Sequence, residues 1–232
     1  VNAFDLYEKF QLTLRYHAKL NPALWQDGKL KNGLSKTLVA KALEFAKYSG
    51  VDQSRIKDIV FTGSNANYNY TKFSDVDIHI VSDISGLDEK KLYDKKVSWT
   101  EAHPKLECNG YPLEFYIHNV EEHLPSDQGV YSVLEDHWES KPAHLDKVKD
   151  ILSDPKVLQK VEFYIKYIKD LLKGDVKDVH DKIMDLKLKF WKGRTAGLKR
   201  EGEFSHENVI YKDLRNRGLI DKLNKKIHSS DD

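Results

Sequence analysis

The chain has 232 residues, of which 40% are hydrophobic and 32% charged, and its formal net charge is +1. This is an ordinary soluble mixture, long enough to bury the core of one or two compact domains. Cys108 is the only cysteine, which excludes a disulfide framework and a cysteine-rich zinc site. No apolar run is long enough to cross a bilayer and the N-terminus lacks a signal-peptide pattern, so a cytoplasmic protein with no membrane partner is expected.

Residues 2–20 place Phe4, Leu6, Tyr7, Phe10, Leu14 and Tyr16 at helical spacing and predict a helix, after which Asn21-Pro22 and Asp27-Gly28 mark turns. Residues 34–48 form a second amphipathic pattern, closed by Gly50. The texture changes at Ile56. Ile59-Val60-Phe61 runs into Thr62-Gly63-Ser64, a buried strand entering a tight turn. From residue 75 to 81 the pattern alternates strictly, with Asp75, Asp77 and His79 on one face and Val76, Ile78 and Ile80 on the other. Residues 87–99 have helical propensity. Residues 111–118 alternate again, setting Glu114, Tyr116 and His118 opposite Leu113, Phe115 and Ile117. Three strands with helices between them imply a small, partly parallel sheet.

From Asp154-Pro155 onward the pattern is helical, with Asp154 as N-cap and Pro155 at the first helical position. Helices are predicted over 155–173, 176–200 and 206–217, the first ended by Gly174 and the last by Gly218, with residues 229–232 frayed. Charge is uneven along the chain. Between residues 182 and 200 stand Lys182, Lys187, Lys189, Lys192, Arg194, Lys199 and Arg200 against the single acid Asp185, while residues 121–139 lean acidic. Such a basic stretch suits a polyanion or a triphosphate, and equally a solvated helix face.

Phosphoryl and nucleotidyl transfer require neutralised charge and hard oxygen ligands for divalent cations. Asp75 and Asp77, two residues apart on one strand, point to the same face, and Glu114 sits mid-strand on the polar face of what should be a neighbour. Gly63-Ser64 follows a strand and opens a short helical segment, where backbone N–H groups and a hydroxyl can meet phosphate oxygens.

Gly63-Ser64, a spacer, Ser74-Asp75-Val76-Asp77 and a later strand carrying Glu114 resemble the signature of the polymerase-β-like nucleotidyltransferase superfamily. The resemblance covers residues 56–118. The flanking helices are similar to uncharacterised phage and bacterial nucleotidyltransferases, through Thr195-Ala196-Gly197, Phe204-Ser205-His206-Glu207-Asn208 and Lys212-Asp213-Leu214-Arg215. It implies that Ser64 contacts the terminal phosphates of an ATP-like nucleoside triphosphate. It also implies that Asp75, Asp77 and Glu114 are catalytic and ligate two Mg²⁺, or Mn²⁺. Asn67 in the loop, Arg194 in the basic stretch and Arg215 further along are the further candidates for nucleotide contact.

The expected architecture is an α/β mixed-sheet nucleotidyltransferase core over residues 51–148, an N-terminal helical segment over 1–50 and a C-terminal helical domain over 149–232. The expected reaction transfers a nucleoside monophosphate to an acceptor and releases pyrophosphate. RNA, a protein, another nucleotide and a small molecule all suit such a core as acceptor. The alternative is an inactive nucleotide-binding or antitoxin-like protein of the same fold. His79, Tyr116 and His118 are open between a site role and packing, and Lys95 or Lys96 could reach a phosphate. His180-Asp181 lacks companion metal ligands, and the four Trp, Trp191 included, are expected to close the core.

Overall fold

Strict alternation after Asp75 is realised as an inner strand of a six-stranded sheet. The computed structural model describes residues 12–122, 128–142 and 151–228. Two compact units make up the chain, one spanning Tyr16–His144 and the other taking the residues on either side of it. Among the described residues, no helix is long and apolar enough to cross a membrane.

The first unit is mixed α/β, as its sequence pattern predicts. A two-stranded hairpin, β1 (Trp25–Gln26) and β2 (Lys29–Leu30), turns on Asp27 and Gly28 at φ 52° and 79°. Positive φ at both turn residues matches the right-handed twist of a tight hairpin. Helix α1 (Leu34–Ser49) ends on Gly50, whose left-handed conformation lets its N–H close the last turn. Then come β3 (Ile56–Thr62), β4 (Val76–Ser82), α2 (Glu89–Ala102), β5 (Glu107–Cys108), β6 (Tyr111–Asn119), β7 (Val130–Ser132) and β8 (His137–Ser140). The sheet order is β5-β6-β4-β3-β7-β8, and β4 and β6 are its parallel pair.

One face of this sheet is sealed. Ile59, Phe61, Val76, Ile78, Ile80 and Phe115 are buried there with Leu38, Ala42 and Phe45 of α1. The Phe45 ring stacks on Phe115 at 5.4 Å and meets Trp99 of α2 edge-on at 5.6 Å. Trp25 joins the hairpin to the far side, packing on Phe61, Tyr131 and Trp138.

The second unit holds α3 (Pro155–Lys173), α4 (Val176–Glu201), α5 (His206–Asn216) and α6 (Leu219–His228). Asp154, Asp175 and Ser205 cap the first three, each side chain accepting a backbone N–H of the first turn, from Lys156, Lys177 and Asn208. Val161, Ile168, Ile183, Leu214 and Leu223 fill the space between them. Buried Asp213 accepts Thr13 N–H at 2.5 Å and the Thr13 hydroxyl at 2.7 Å on one oxygen and Arg217 Nε at 2.6 Å on the other, so both of its oxygens are hydrogen-bonded and its charge is paired with one guanidinium.

Three expectations need correction. Residues 12–20, the described part of the predicted first helix, are not helical, and the remainder lies outside the described residues, as do residues 123–127 of the acidic stretch and the tail 229–232. The donors of this stretch are used elsewhere: Thr13 on Asp213, and His17 N–H on the Tyr68 carbonyl at 2.7 Å, with the His17 ring stacked on Tyr70 at 3.9 Å. The sheet has six strands, because β5, β7 and β8 are too short to leave a period in the sequence. Trp191 does not close a core; it is 65% exposed on α4.

Asp58 of β3 supplies a test of the sheet. Its Oδ1 accepts the Ser132 hydroxyl at 2.8 Å and the Ile59 N–H at 2.7 Å. Burial nevertheless raises its pKa above 3.8, and Glu139 and Glu135 push the same way. A carboxyl with a raised folded-state pKa favours folding below its unfolded value and loses that contribution as pH rises through the folded one. Asp58→Asn keeps the acceptor and removes the charge. Its melting temperature at pH 7 should exceed the parent's by about 2 °C or more, and the gap should close as pH falls toward 4. Thermal scans across pH check this, and a lower melting point at pH 7 contradicts it.

Candidate active site

The site is assembled by strand register. Across the open face, Thr62 of β3 pairs with Asp77 of β4, and Asp77 pairs with Glu114 of β6. The next row is Val60, His79 and Tyr116. In register, side chains at paired positions share a face, so Asp77 and Glu114 are brought together, as are His79 and Tyr116. Asp75 stands immediately before β4. The charges of Asp77, Glu114 and Asp75 all act on Tyr116. Together with its burial, the larger cause, they hold the phenol pKa above its ordinary range.

Gly63 closes the row. It sits at φ 78°, ψ −170°, a region essentially reserved for glycine, and a Cβ placed there would fall 2.1 Å from Asp77 Oδ2. The backbone after β3 therefore lies directly against the Asp77 carboxylate. A 3₁₀ turn over Ser64–Ala66 follows, which is the short helical segment expected from the sequence.

The loop from Gly63 to Asp75 is held by side chains rather than by strands. Asn65, fully buried, donates to the Asp75 carbonyl at 3.0 Å and accepts from Asn21 at 2.8 Å, while its own carbonyl accepts Trp25 Nε1 at 2.6 Å. Asn67 donates to the Gly63 carbonyl at 2.7 Å and accepts Gly129 N–H at 2.8 Å. Ser64 Oγ donates to Ser74 Oγ at 2.8 Å, and Ser74 also accepts Thr71 N–H at 2.9 Å. The Asn67 amide thus braces Gly63. Asn65 was not singled out by its sequence, since a bracing amide in a polar loop leaves no local signal.

Glu114 is tied by one oxygen. Its Oε2 accepts the Tyr116 hydroxyl at 2.6 Å and Lys96 Nζ at 3.3 Å, and Lys96 lies 3.6 Å from the centre of the Tyr116 ring. His79 stacks on Tyr116 at 4.7 Å. Burial first, then the charges near His118 and Lys96, pulls its pKa down to about 4, so the ring is neutral. His79 Nδ1 is buried without a hydrogen-bond partner among the described residues. Lys95 instead lies over Tyr48 at 4.8 Å.

Arg194 and Arg215 belong to the helical unit. Arg194 Nε donates to Asn208 Oδ1 at 2.8 Å, and its guanidinium lies over Tyr211 at 5.0 Å. His180 and Asp181 form an exposed pair at 3.1 Å on α4. Among the described residues, no three His, Cys, Asp or Glu side chains converge as a ready metal-ligand cluster. By donor chemistry and backbone register Asp75, Asp77 and Glu114 fit a divalent cation; the present orientation of Glu114 turns its Oε2 toward Lys96 and Tyr116.

A family described as "Nucleotidyltransferase domain" matches residues 41–206, more than half of the chain. No curated protein matches it. Among solved structures, a STING-associated CdnE c-di-GMP synthase from Capnocytophaga granulosa is similar at 10% identity, over 89% of this chain and 84% of that chain, with a TM-score of 0.21. A superposition that shallow says nothing about what this chain binds.

Gly63→Ala tests the contact on which this geometry turns. The substituted backbone is strained by about 1–3 kcal/mol, and the methyl group must also displace Asp77. Urea denaturation should show a loss in that range, whereas Gly28→Ala, also at positive φ but with open space around it, should lose less. Equal losses in the two variants would mean that Asp77 does not press on Gly63.

Proposed function

Because the chain belongs to the nucleotidyltransferase domain family of the polymerase-β-like superfamily, we propose that its open sheet face transfers a nucleoside monophosphate from a nucleoside triphosphate to an acceptor nucleophile. The observation that carries this reading is the row formed by Gly63, Asp77 and Glu114, in which a bare backbone lies against a carboxylate paired in register with a second one.

Asp75, Asp77 and Glu114 are the residues to hold Mg²⁺ or Mn²⁺. Two such ions would neutralise the phosphate oxygens and align attacking and leaving groups. The Gly63 turn and the Ser64 hydroxyl receive the β- and γ-phosphates, where a side chain at residue 63 would have kept them away. The acceptor oxygen or nitrogen forms a bond to the α-phosphorus and the bond to the bridging oxygen breaks. Pyrophosphate leaves with that electron pair, and a carboxylate of the face takes the acceptor's proton. The acceptor is an RNA end, a protein side chain, a nucleotide or a small molecule. Residues 51–148 carry the chemistry, flanked by 1–50 and 149–232. Asn67 acts by bracing Gly63, and Arg194 and Arg215 are assigned to phosphate on guanidinium chemistry, which suits bidentate contact.

Incubation with α-labelled nucleoside triphosphates, Mg²⁺ or Mn²⁺ and candidate acceptors should label one acceptor class and release pyrophosphate. Asp77→Asn should abolish both while melting within about 2 °C of the parent or above it, since it relieves repulsion between carboxylates. Metal-dependent nucleotide binding without label on any acceptor would instead mark an inactive binding protein. Ser64→Ala should weaken triphosphate binding by about 1–2 kcal/mol, one charge-assisted hydrogen bond, because the backbone donors remain. Calorimetry reads this directly, and unchanged affinity would place the phosphates away from Ser64.

A further inference from the structure

Glu114 carries two features that pull in different directions. Register sets it opposite Asp77 on the face proposed to hold the cations. Its side chain nevertheless spends Oε2 on Lys96 and Tyr116, and no cluster of three ligands forms among the described residues. Backbone register thus sets Glu114 opposite Asp77, while its Oε2 is held by Lys96 and Tyr116. Tyr116 is neutral and donates a hydrogen bond that a metal-bound carboxylate could retain. Lys96 is different, because its ammonium is itself a cation at the same oxygen.

We propose that Lys96 competes with the divalent cation for Glu114, so that metal binding and release of the lysine are one event. This rests on the active-site reading above. The Lys96 side chain is 24% exposed and its ammonium packs 3.6 Å from the Tyr116 ring centre, so it is guided to Glu114 rather than merely near it. An ammonium beside a carboxylate offsets one negative charge. A divalent cation offsets two and cannot share an oxygen with the ammonium without mutual repulsion. A partly exposed ion pair of this kind is weak, so a bound metal can displace it. The four-carbon stem of lysine gives the freed ammonium room to move toward solvent. Lys96 is accordingly a positioning residue that sets how readily the third carboxylate turns to the metal.

Mn²⁺ alone, titrated into the full chain without nucleotide and followed by the paramagnetic signal of the free ion, tests this. Lys96→Met, which keeps the length of the stem and removes the charge, should bind Mn²⁺ at least threefold more tightly than the parent. Lys96→Arg, which restores the charge, should bind like the parent. Metal-free Lys96→Met should melt below the parent, and saturating Mn²⁺ should narrow that gap. Equal or weaker Mn²⁺ binding in Lys96→Met would overturn the proposal even if the parent binds metal at this face. Parent binding that survives Asp77→Asn unchanged would instead place the ion elsewhere, and the active-site reading would fail with it.

Discussion

Parallel pairing of β4 with β6 is the constraint on which the functional face depends. Its register runs from Val76 with Leu113 to Ser82 with Asn119 without a break. Because side chains alternate with a period of two, this pairing makes two faces at once. Ile78 with Phe115 and Ile80 with Ile117 go to the core, while Asp77 with Glu114 and His79 with Tyr116 go to the other side. A slip of one residue would send Glu114 toward the level of the apolar row and bring Phe115 out. Burying a carboxylate among Phe45, Ile78 and Ile80 without a partner would cost several kcal/mol, as would exposing the core rings. The packing that stabilises the sheet therefore also selects the alignment of the acids. No separate interaction has to choose it.

The loop before β4 takes its shape from the same constraint. Gly63 leaves β3 where Thr62 is still paired with Asp77, so the chain must turn within reach of that carboxylate. Only glycine can make the turn at that distance. Asn65, Asn67 and Ser74 then supply hydrogen bonds to a segment that has no strand partner, and each bond lies between groups that are buried or half-buried. Buried polar groups are stable only when paired, so this network has few alternatives. The outcome is a turn held in place by the protein's own groups, the preorganisation that the proposed phosphate contact would need.

What was legible in the sequence follows from range. β3, β4 and β6 declare themselves through local alternation, and the same period puts Asp77 and Glu114 on the polar faces of their strands, which the register then pairs. The capped helices were equally local: Asp154 with Pro155, and Gly50 as a stop. The pieces that were missed depend on distant partners. β7 exists because Val60 and Phe61 offer it an edge, β8 because β7 does, and residues 12–20 lose their helix to partners such as Tyr68 and Asp213. α6 follows Gly218 so closely that the glycine was read as an end, although Leu219, Ile220, Leu223 and Ile227 carry a helical period. The tie between Lys96 and Glu114 spans 18 residues from a helix to a strand. No spacing rule could have paired them.

The helical unit shows why arginine interrupts a run of lysines at residue 194. A lysine there would present one compact ammonium on a mobile stem. Arg194 instead uses Nε on Asn208 and lays its plane over Tyr211, which fixes the guanidinium in position and direction. Asn208 is itself fully buried and held by the Glu203 carbonyl at 2.7 Å, so it cannot follow a different side chain. Glu203 in turn pairs with Lys212. Buried polar chains of this kind contribute little net stability, since desolvation offsets most of their attraction. What they provide is direction: each member has one satisfied arrangement, and any other leaves a buried group unpaired. Close packing reinforces it, for a Cβ at Gly197 would fall 2.6 Å from Ser205 Oγ, so α4 can approach the start of α5 only at a residue without a side chain. The orientation of Arg194 is therefore built into the way α4 meets α5. It does not depend on a ligand being present to align it.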